Sequence, residues 1–439
     1  MKLLLRSLCL ALVPACAGAQ EPVPANPMTI QAFVEGTLRF NQEALAQRFN
    51  VTSAEAQVSI NRLMPDPQLT TGISSRELYG PNKPVNPTQY TLGLSWTLET
   101  GGKRAARVAV ANEGVGKAQA DLETFLSDLR LNAENAFVDA LKARLVLERK
   151  RKTLEGFHEV VRLNQIRLNS GDIGGVEFAQ SRVEAQRFAG EVYGAQADLT
   201  TAEAVLAQLL GNAMKPVSPA GKLECPPVAI SAEEVLARAF LNRVDLVAAR
   251  RGVQLAESQK RLAKANRWVD LGLSVGVNHT PPVYATGMDT SGSPFPAPAF
   301  MSNSLSATVS IPLPFSRHQR GELIQAEAAR AQANLELQSM EQRTRADVVS
   351  AIALYEAASA QLRTFNDGIL QDTDKVLDGI QFSYKHGNAS LLEFIEAQRT
   401  NNEVFLAYFD ALAAHAKALA LLDRLSGSHV LLDHCKNKA

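Results

Sequence analysis

Four cysteines and seven histidines in 439 residues, aromatics at only 6%, and no excess of either charge leave several function classes without support. Cys9 and Cys16 fall within an N-terminal leader, so only Cys225 and Cys435 remain for structural or redox roles. His158, His279, His318, His386, His415, His429 and His434 show no metal-ligand spacing, and His434-Cys435 is a single adjacent pair where a metal site needs more ligands. No nucleophile, base and carboxylate fall into a catalytic pattern, so neither an enzyme nor a bound cofactor is expected. Lys plus Arg and Asp plus Glu stand at 45 each, which excludes the clustered positive surface that nucleic acid requires. Beyond the leader there is no uninterrupted apolar run of about 20 residues, so entry into a membrane would have to be by strands.

The leader has a basic start (Lys2, Arg6), an apolar run from Leu8 to Val13 and the small residues Ala17-Gly18-Ala19. This is the layout of a secretory signal peptide cleaved after Ala19; the alternative is lipoprotein processing at Cys16. The apolar run is too short to cross a bilayer.

What the chain does have is alternation. In Gln89 to Leu98, Tyr90, Leu92, Leu94, Trp96 and Leu98 share one side of an extended strand, and Thr91, Gly93, Ser95 and Thr97 the other. Large charged groups are missing from the polar side. Small polar side chains opposite apolar ones suit a barrel wall with lipid outside and water within. Leu305, Ala307, Val309, Ile311 and Leu313 alternate with Ser304, Ser306, Thr308 and Ser310 in the same way. Val269 to Asn278 and, more weakly, Pro67 to Ser74 supply two further strands. The connections 76–87 and 280–302 are rich in Pro, Gly or Asn and read as loops without strands.

Each strand pair leads into helix-period sequence of unusual length. Lys103 to Leu168 and Gln319 to Lys385 each read as one helix with a spacing near 3.5, reversing at Ser170-Gly171-Asp172 and at His386-Gly387-Asn388. Return helices run from about Gly175 to Leu210 and on to Leu425. AQADLE (Ala118 to Glu123) against AQANLE (Ala331 to Glu336) identifies a tandem repeat. The divisions are a signal peptide at 1–19, a first repeat at 20–211, a linker at 212–230, a second repeat at 231–427 and a tail at 428–439. A helix or helix pair at 29–63 opens the first repeat. A single helix, Ser231 to Arg267, opens the second from a Ser231-Ala232-Glu233-Glu234 capping box. The fold class is mostly α with a small β part: two repeats, each a long coiled-coil hairpin with two strands.

Tyr384 to Ala397 (YKHGNASLLEFIEA) and Asn169 to Gln180 resemble the two periplasmic tips of the TolC outer membrane factor family. Pro65-Asp66-Pro67 and Trp96 to Arg104 (WTLETGGKR) resemble its CzcC-like heavy-metal branch. The resemblance implies a homotrimer with a twelve-stranded outer membrane β-barrel and a periplasmic α-helical tunnel. It also implies a passive efflux duct completed by a periplasmic adaptor (membrane fusion protein) and an inner membrane transporter of RND type. A duct for secreted proteins or organic toxins is the alternative within the family. A periplasmic adaptor is the alternative outside it, although an adaptor would show one hairpin and β-rich domains. By the same resemblance Glu393 and Glu396 match acidic rings at the constriction, where crowding would raise their pKa values. Their plainer reading is a solvated helix face. Tyr384 and Glu177 match a hydrogen-bonded pair that closes the tunnel mouth, and Gly171 and Gly387 mark the adaptor-contact tips. Cys225 and Cys435 follow equivalent return helices in a compartment that permits disulfides, so a bridge is one option and two free thiols the other.

Overall fold

The computed structural model describes residues 27–74, 88–211, 217–223, 230–282, 285–288, 291–292, 294–297, 301–313 and 320–427. The leader, Cys225 and Cys435 lie outside the described residues. The elements are, in order, α1 (Ile30–Phe40), α2 (Gln42–Arg62), β1 (Gln68–Ser74), β2 (Gln89–Leu98), α3 (Lys103–Ser170) and α4 (Gly175–Leu209). The second half repeats them as α5 (Ala232–Asn242), α6 (Val244–Ala265), β3 (Leu271–Thr280), β4 (Ala285–Met288), β5 (Pro294–Ala297), β6 (Ser302–Ser310), α7 (Arg320–Thr364), α8 (Leu370–Lys385) and α9 (Leu391–Ser426).

The main sheet is antiparallel with order β1-β2-β3-β6, so its central pair joins the two repeats. The register brings Leu69, Leu94 and Val275 into one row and Trp96, Leu273 and Val309 into another. The opposite face carries Thr70, Gly93, Gly276 and Ser306 in a row of small groups. The expected two faces are therefore present, and the apolar one is largely exposed, Leu69, Leu92, Leu305 and Val309 included. Gly101 and Gly102, at φ 67° and 70°, turn β2 into α3. At Gly101 a Cβ would sit 2.6 Å from the Trp268 side chain, so this turn has no room for another residue. Lys103 pairs with Asp270 at 2.8 Å, Arg107 with Glu99, and the Thr100 N–H donates to Asp270 at 3.1 Å. These links weld sheet to helix.

Four readings are corrected. The helix expected over 231–267 breaks at Arg243, whose guanidinium grips Asp245 at 2.7 Å and Asp347 at 2.8 Å. The expected box at Ser231 makes no side-chain cap, because Glu234 pairs with Arg238 instead. The helix expected over 319–385 is interrupted by a π turn, Phe365–Ile369, with Gly368 at φ 124°. Finally, the 280–302 connection holds the β4–β5 hairpin as well as loop.

α3 is continuous for 68 residues, roughly 100 Å at about 1.5 Å per residue. Three apolar cores lie along the helical body. Phe33 and Phe137 centre the one shared by α1, α3, α4 and α9. Phe157, Phe188 and Phe394 centre the one nearest the hairpin tips, and Tyr355 the one between α5, α7 and α9. Among the described residues one helix, α9, is long and apolar enough to cross a membrane, but its Phe394, Leu419 and Leu422 are fully buried within these cores.

Candidate functional site at the hairpin tips

The two hairpins reverse with the same backbone geometry. Gly171 (φ 83°) and Gly387 (φ 80°) are left-handed helix ends. Behind each, the following N–H reaches back five residues, Asp172 to the Arg167 carbonyl and Asn388 to the Ser383 carbonyl, both at 2.8 Å. A Cβ at either glycine would meet nothing within 4 Å, so backbone conformation and not space demands glycine.

Between the tips Tyr384 is 1% exposed, with its ring stacked on Phe394 at 5.7 Å. Its hydroxyl donates to Asn164 Oδ1 at 2.6 Å, and Asn164 is fully buried on α3. The Tyr384–Glu177 bond expected from the sequence is thus replaced within the chain by a Tyr384–Asn164 bond. Glu177 stays in the first turn of α4, where its charge acts at a distance. Burial first, and then the Glu177 charge, push the Tyr384 phenol above its ordinary pKa. Arg167 completes the arrangement: it donates to the Tyr384 and Lys385 carbonyls at 2.8 and 3.0 Å, and its guanidinium lies 5.2 Å from the Tyr384 ring centre. Those carbonyls belong to the last turn of α8, where a cation is favoured by the exposed C=O groups. One arginine and one asparagine of the first hairpin therefore hold the end of the second.

Glu393 makes a local contact at the start of α9. It is the third residue of α9 and closes a capping box, accepting from the Ser390 N–H at 2.7 Å while its own N–H donates to the Ser390 hydroxyl at 3.2 Å. Within the single chain these bonds to Ser390 lower its pKa. Glu396 is exposed three residues on, on the same helix face.

A second tie crosses the hairpins beside the same core. Glu184 of α4 accepts from Arg187 at 2.7 Å and from Arg399 of α9 at 2.9 Å. The Arg187 hydrogen bond is the main cause holding the Glu184 carboxyl below its ordinary pKa of 4.5, with Arg399 adding to it. A depressed pKa stabilises the fold above the unfolded value, and the contribution is lost as pH falls through the folded one. Hydrogen exchange at the tips of α4 and α9 should accelerate below about pH 4. Glu184→Gln should show the fast rate already at neutral pH and no further step on acidification.

Sequence reasoning missed Asn164, Arg167 and Glu184. Asn164 left a usable signal: it occupies an apolar stripe position after Phe157 and Val160, where a polar residue at a core position specifies a partner. Among the described residues no cluster of His, Cys, Asp or Glu could hold a metal ion.

The outer membrane efflux protein family matches residues 37–212 and 235–428. The cobalt-zinc-cadmium resistance protein CzcC of Cupriavidus metallidurans is 22% identical over 404 residues, 92% of this chain and 91% of that one. The outer membrane efflux protein BepC of Brucella suis is 22% identical over 409 residues, 92% and 87% of the two chains. In fold, CusC superposes with a TM-score of 0.72 at 18% identity, covering 91% and 92% of the chains. The open MtrE outer membrane channel of Neisseria gonorrhoeae superposes with a TM-score of 0.70 at 20% identity, covering 91% and 89%. With two-faced strands, doubled helical hairpins and a family match over both repeats, the chain belongs to the outer membrane efflux protein family and is an efflux channel, not an enzyme.

Proposed function

We propose that three copies close their sheets into one twelve-stranded barrel, with the helices forming a periplasmic tunnel, and that the duct exports heavy-metal cations. The observation that supports the assembly most directly is the four-stranded sheet with an apolar face, a small polar face and, among the described residues, unpaired edges at β1 and β6. Four strands cannot close, eight would be filled by side chains, and twelve leave a lumen. The metal cargo is supported by the likeness to CzcC, a cobalt-zinc-cadmium resistance protein. In this reading the leader is removed after Ala19, and the chain divides at 20–211, 212–230 and 231–427. A periplasmic adaptor docks at the Gly171 and Gly387 tips, and an inner membrane transporter of RND type supplies the energy. Deleting the gene should raise sensitivity to divalent metals, with the purified protein running as a heat-sensitive trimer in detergent. Unchanged metal tolerance would remove the cargo, and a monomer would remove the barrel.

Two substitutions test the tips. Gly387→Val forces a branched side chain into left-handed backbone at a cost of about 1 to 2 kcal/mol, without a clash. Export and adaptor cross-linking should fall while trimer yield persists; loss of the trimer would mean that the turn serves folding alone. Replacing both Glu393 and Glu396 by Gln keeps the capping box, which glutamine also closes, and removes only charge. Cation selectivity and divalent block in planar bilayers should weaken, as expected of acidic rings at a constriction. Unaltered selectivity would return these residues to a solvated face.

A further inference from the structure

The chain as a whole carries no net charge, yet the end of the sheet from which the helices leave is basic. Residues 62–66, 99–107, 264–270 and 320–322 hold seven cations against four carboxylates, Asp66, Glu99, Asp270 and Glu322. Glu99 and Asp270 are already paired with Arg107 and Lys103. Asp66 precedes β1 and Glu322 follows β6, and each has a cation close by in sequence, Arg62 and Arg320. That leaves Arg104, Lys264 and Arg267 beside the central β2–β3 pair, exposed and without a carboxylate partner among the described residues. Arg104 is steadied by donating through Nε to the Arg62 carbonyl at 2.7 Å.

Trp268 stands among these three cations. It is 65% exposed, and it lies against Gly101 just before the start of α3. A tryptophan with so much of its ring uncovered is poorly placed in water, whereas at a membrane surface both the ring and its N–H are satisfied. The height of the sheet agrees. The apolar rows run from Tyr90 to Leu98, about 26 Å along the strand at about 3.3 Å per residue, or about 20 Å along the axis of a barrel with strands tilted about 40°. Leu271, opposite Leu98, belongs to the last of these rows, and Trp268 three residues before it brings the height to that of an apolar band about 25 Å tall. Arg104, Lys264 and Arg267 therefore stand at the level of the lipid phosphates.

We propose that Arg104, Lys264 and Arg267, around Trp268, bind the headgroups of anionic phospholipids in the leaflet facing the helical body. The site rests on the sheet being the wall of a barrel, which makes its apolar face the one that meets lipid. The occupant is a phosphodiester of net negative charge, as in phosphatidylglycerol, because a zwitterionic headgroup would bring an amine into a cluster already cationic. Each arginine can offer paired N–H groups to two phosphate oxygens, and the lysine adds a point charge. The position beside β2 and β3 keeps the site clear of the β1 and β6 edges where further copies would pair. Three such sites around the barrel would fix the height at which the helical body hangs below the membrane.

Trp96 and Trp268 are the only tryptophans, so Trp96→Phe leaves Trp268 as the sole reporter. The trimer of this variant is reconstituted in vesicles of phosphatidylethanolamine with a minor share of phosphatidylglycerol, and one or the other lipid is supplied with brominated acyl chains, which quench tryptophan on contact. At equal amounts of brominated lipid, the apparent affinity read from quenching should favour phosphatidylglycerol by about fivefold or more, the effect of at least one cation at an anionic surface. Arg104→Gln, Lys264→Gln and Arg267→Gln made together should bring that ratio to one, with trimer yield kept and Trp268 still quenched by both lipids. Equal quenching by the two lipids before neutralisation, or a preference that survives the triple variant, would overturn the headgroup site and leave the barrel standing. No quenching by either lipid would overturn the site together with the lipid-facing side assigned to the sheet.

Discussion

Leu94→Arg should abolish assembly into the membrane, whereas Ser95→Arg should leave it largely intact. Leu94 stands between Leu69 and Val275 on the apolar face, and Ser95 between Gln68 and Ser274 on the other. An arginine facing lipid near the midplane costs about 2 to 4 kcal/mol, falling to about 0 to 1 near the interface. Three copies multiply that cost in the assembled barrel, while a lumen-facing arginine stays in water. The measurement is the fraction of heat-modifiable trimer in outer membrane extracts. Equal yields would mean that the exposed apolar face does not meet lipid.

The second large effect is expected at the tips. Tyr384→Phe removes the donor that satisfies a fully buried Asn164 oxygen, and leaving such a group unpaired costs about 1 to 3 kcal/mol per chain. If the contact keeps the two hairpins together at the mouth, resting conductance in planar bilayers should rise. Arg167→Ala should raise it further, since it frees two α8 carbonyls and removes a cation from the Tyr384 ring. The informative control is Tyr384→Phe combined with Asn164→Leu. With both partners apolar, no buried group is left unpaired, so part of the closed state should return. Glu177→Gln should have the smaller effect, because Glu177 acts on Tyr384 only through its field. Conductance unchanged in Tyr384→Phe and Arg167→Ala would confine these contacts to packing.

The parts of this molecule that could be read from its sequence are those where short-range periodicity meets a single environment. Tyr90 to Leu98 alternate because one side faces a different medium from the other, and that pattern survives without knowledge of any partner. The ends of α3 and α8 were legible because a left-handed residue favours glycine. The breaks at Arg243 and Gly368 were not. Arg243 interrupts a continuing apolar stripe, and its reason is an ion pair with Asp347, more than a hundred positions away. The β4–β5 hairpin carries prolines at 294 and 296, which argue against a central strand but are tolerated in a two-stranded ribbon. At the tips the tyrosine was found and its partner was not, because Asn164 meets it only through the approach of helices 220 positions apart. Glu393 is a different lesson. Its bond to Ser390 is local, and a serine three residues before a glutamate is the sequence signature of that capping box.

The free edges of the sheet constrain how the protein is made. β1 offers seven residues and β6 nine along edges that no other described strand pairs with. In hydrocarbon each unpaired group costs several kcal/mol, so a lone sheet cannot rest there even briefly. Biogenesis therefore cannot be a matter of single chains inserting and then finding one another by diffusion in the bilayer. The helical bodies have to meet while still in water, and the strands have to pair as they enter. Insertion should accordingly rise more steeply than in proportion to the concentration of newly exported chains. A subunit made in excess of its partners would wait in the periplasm, exposed to proteases and with its apolar strands uncovered.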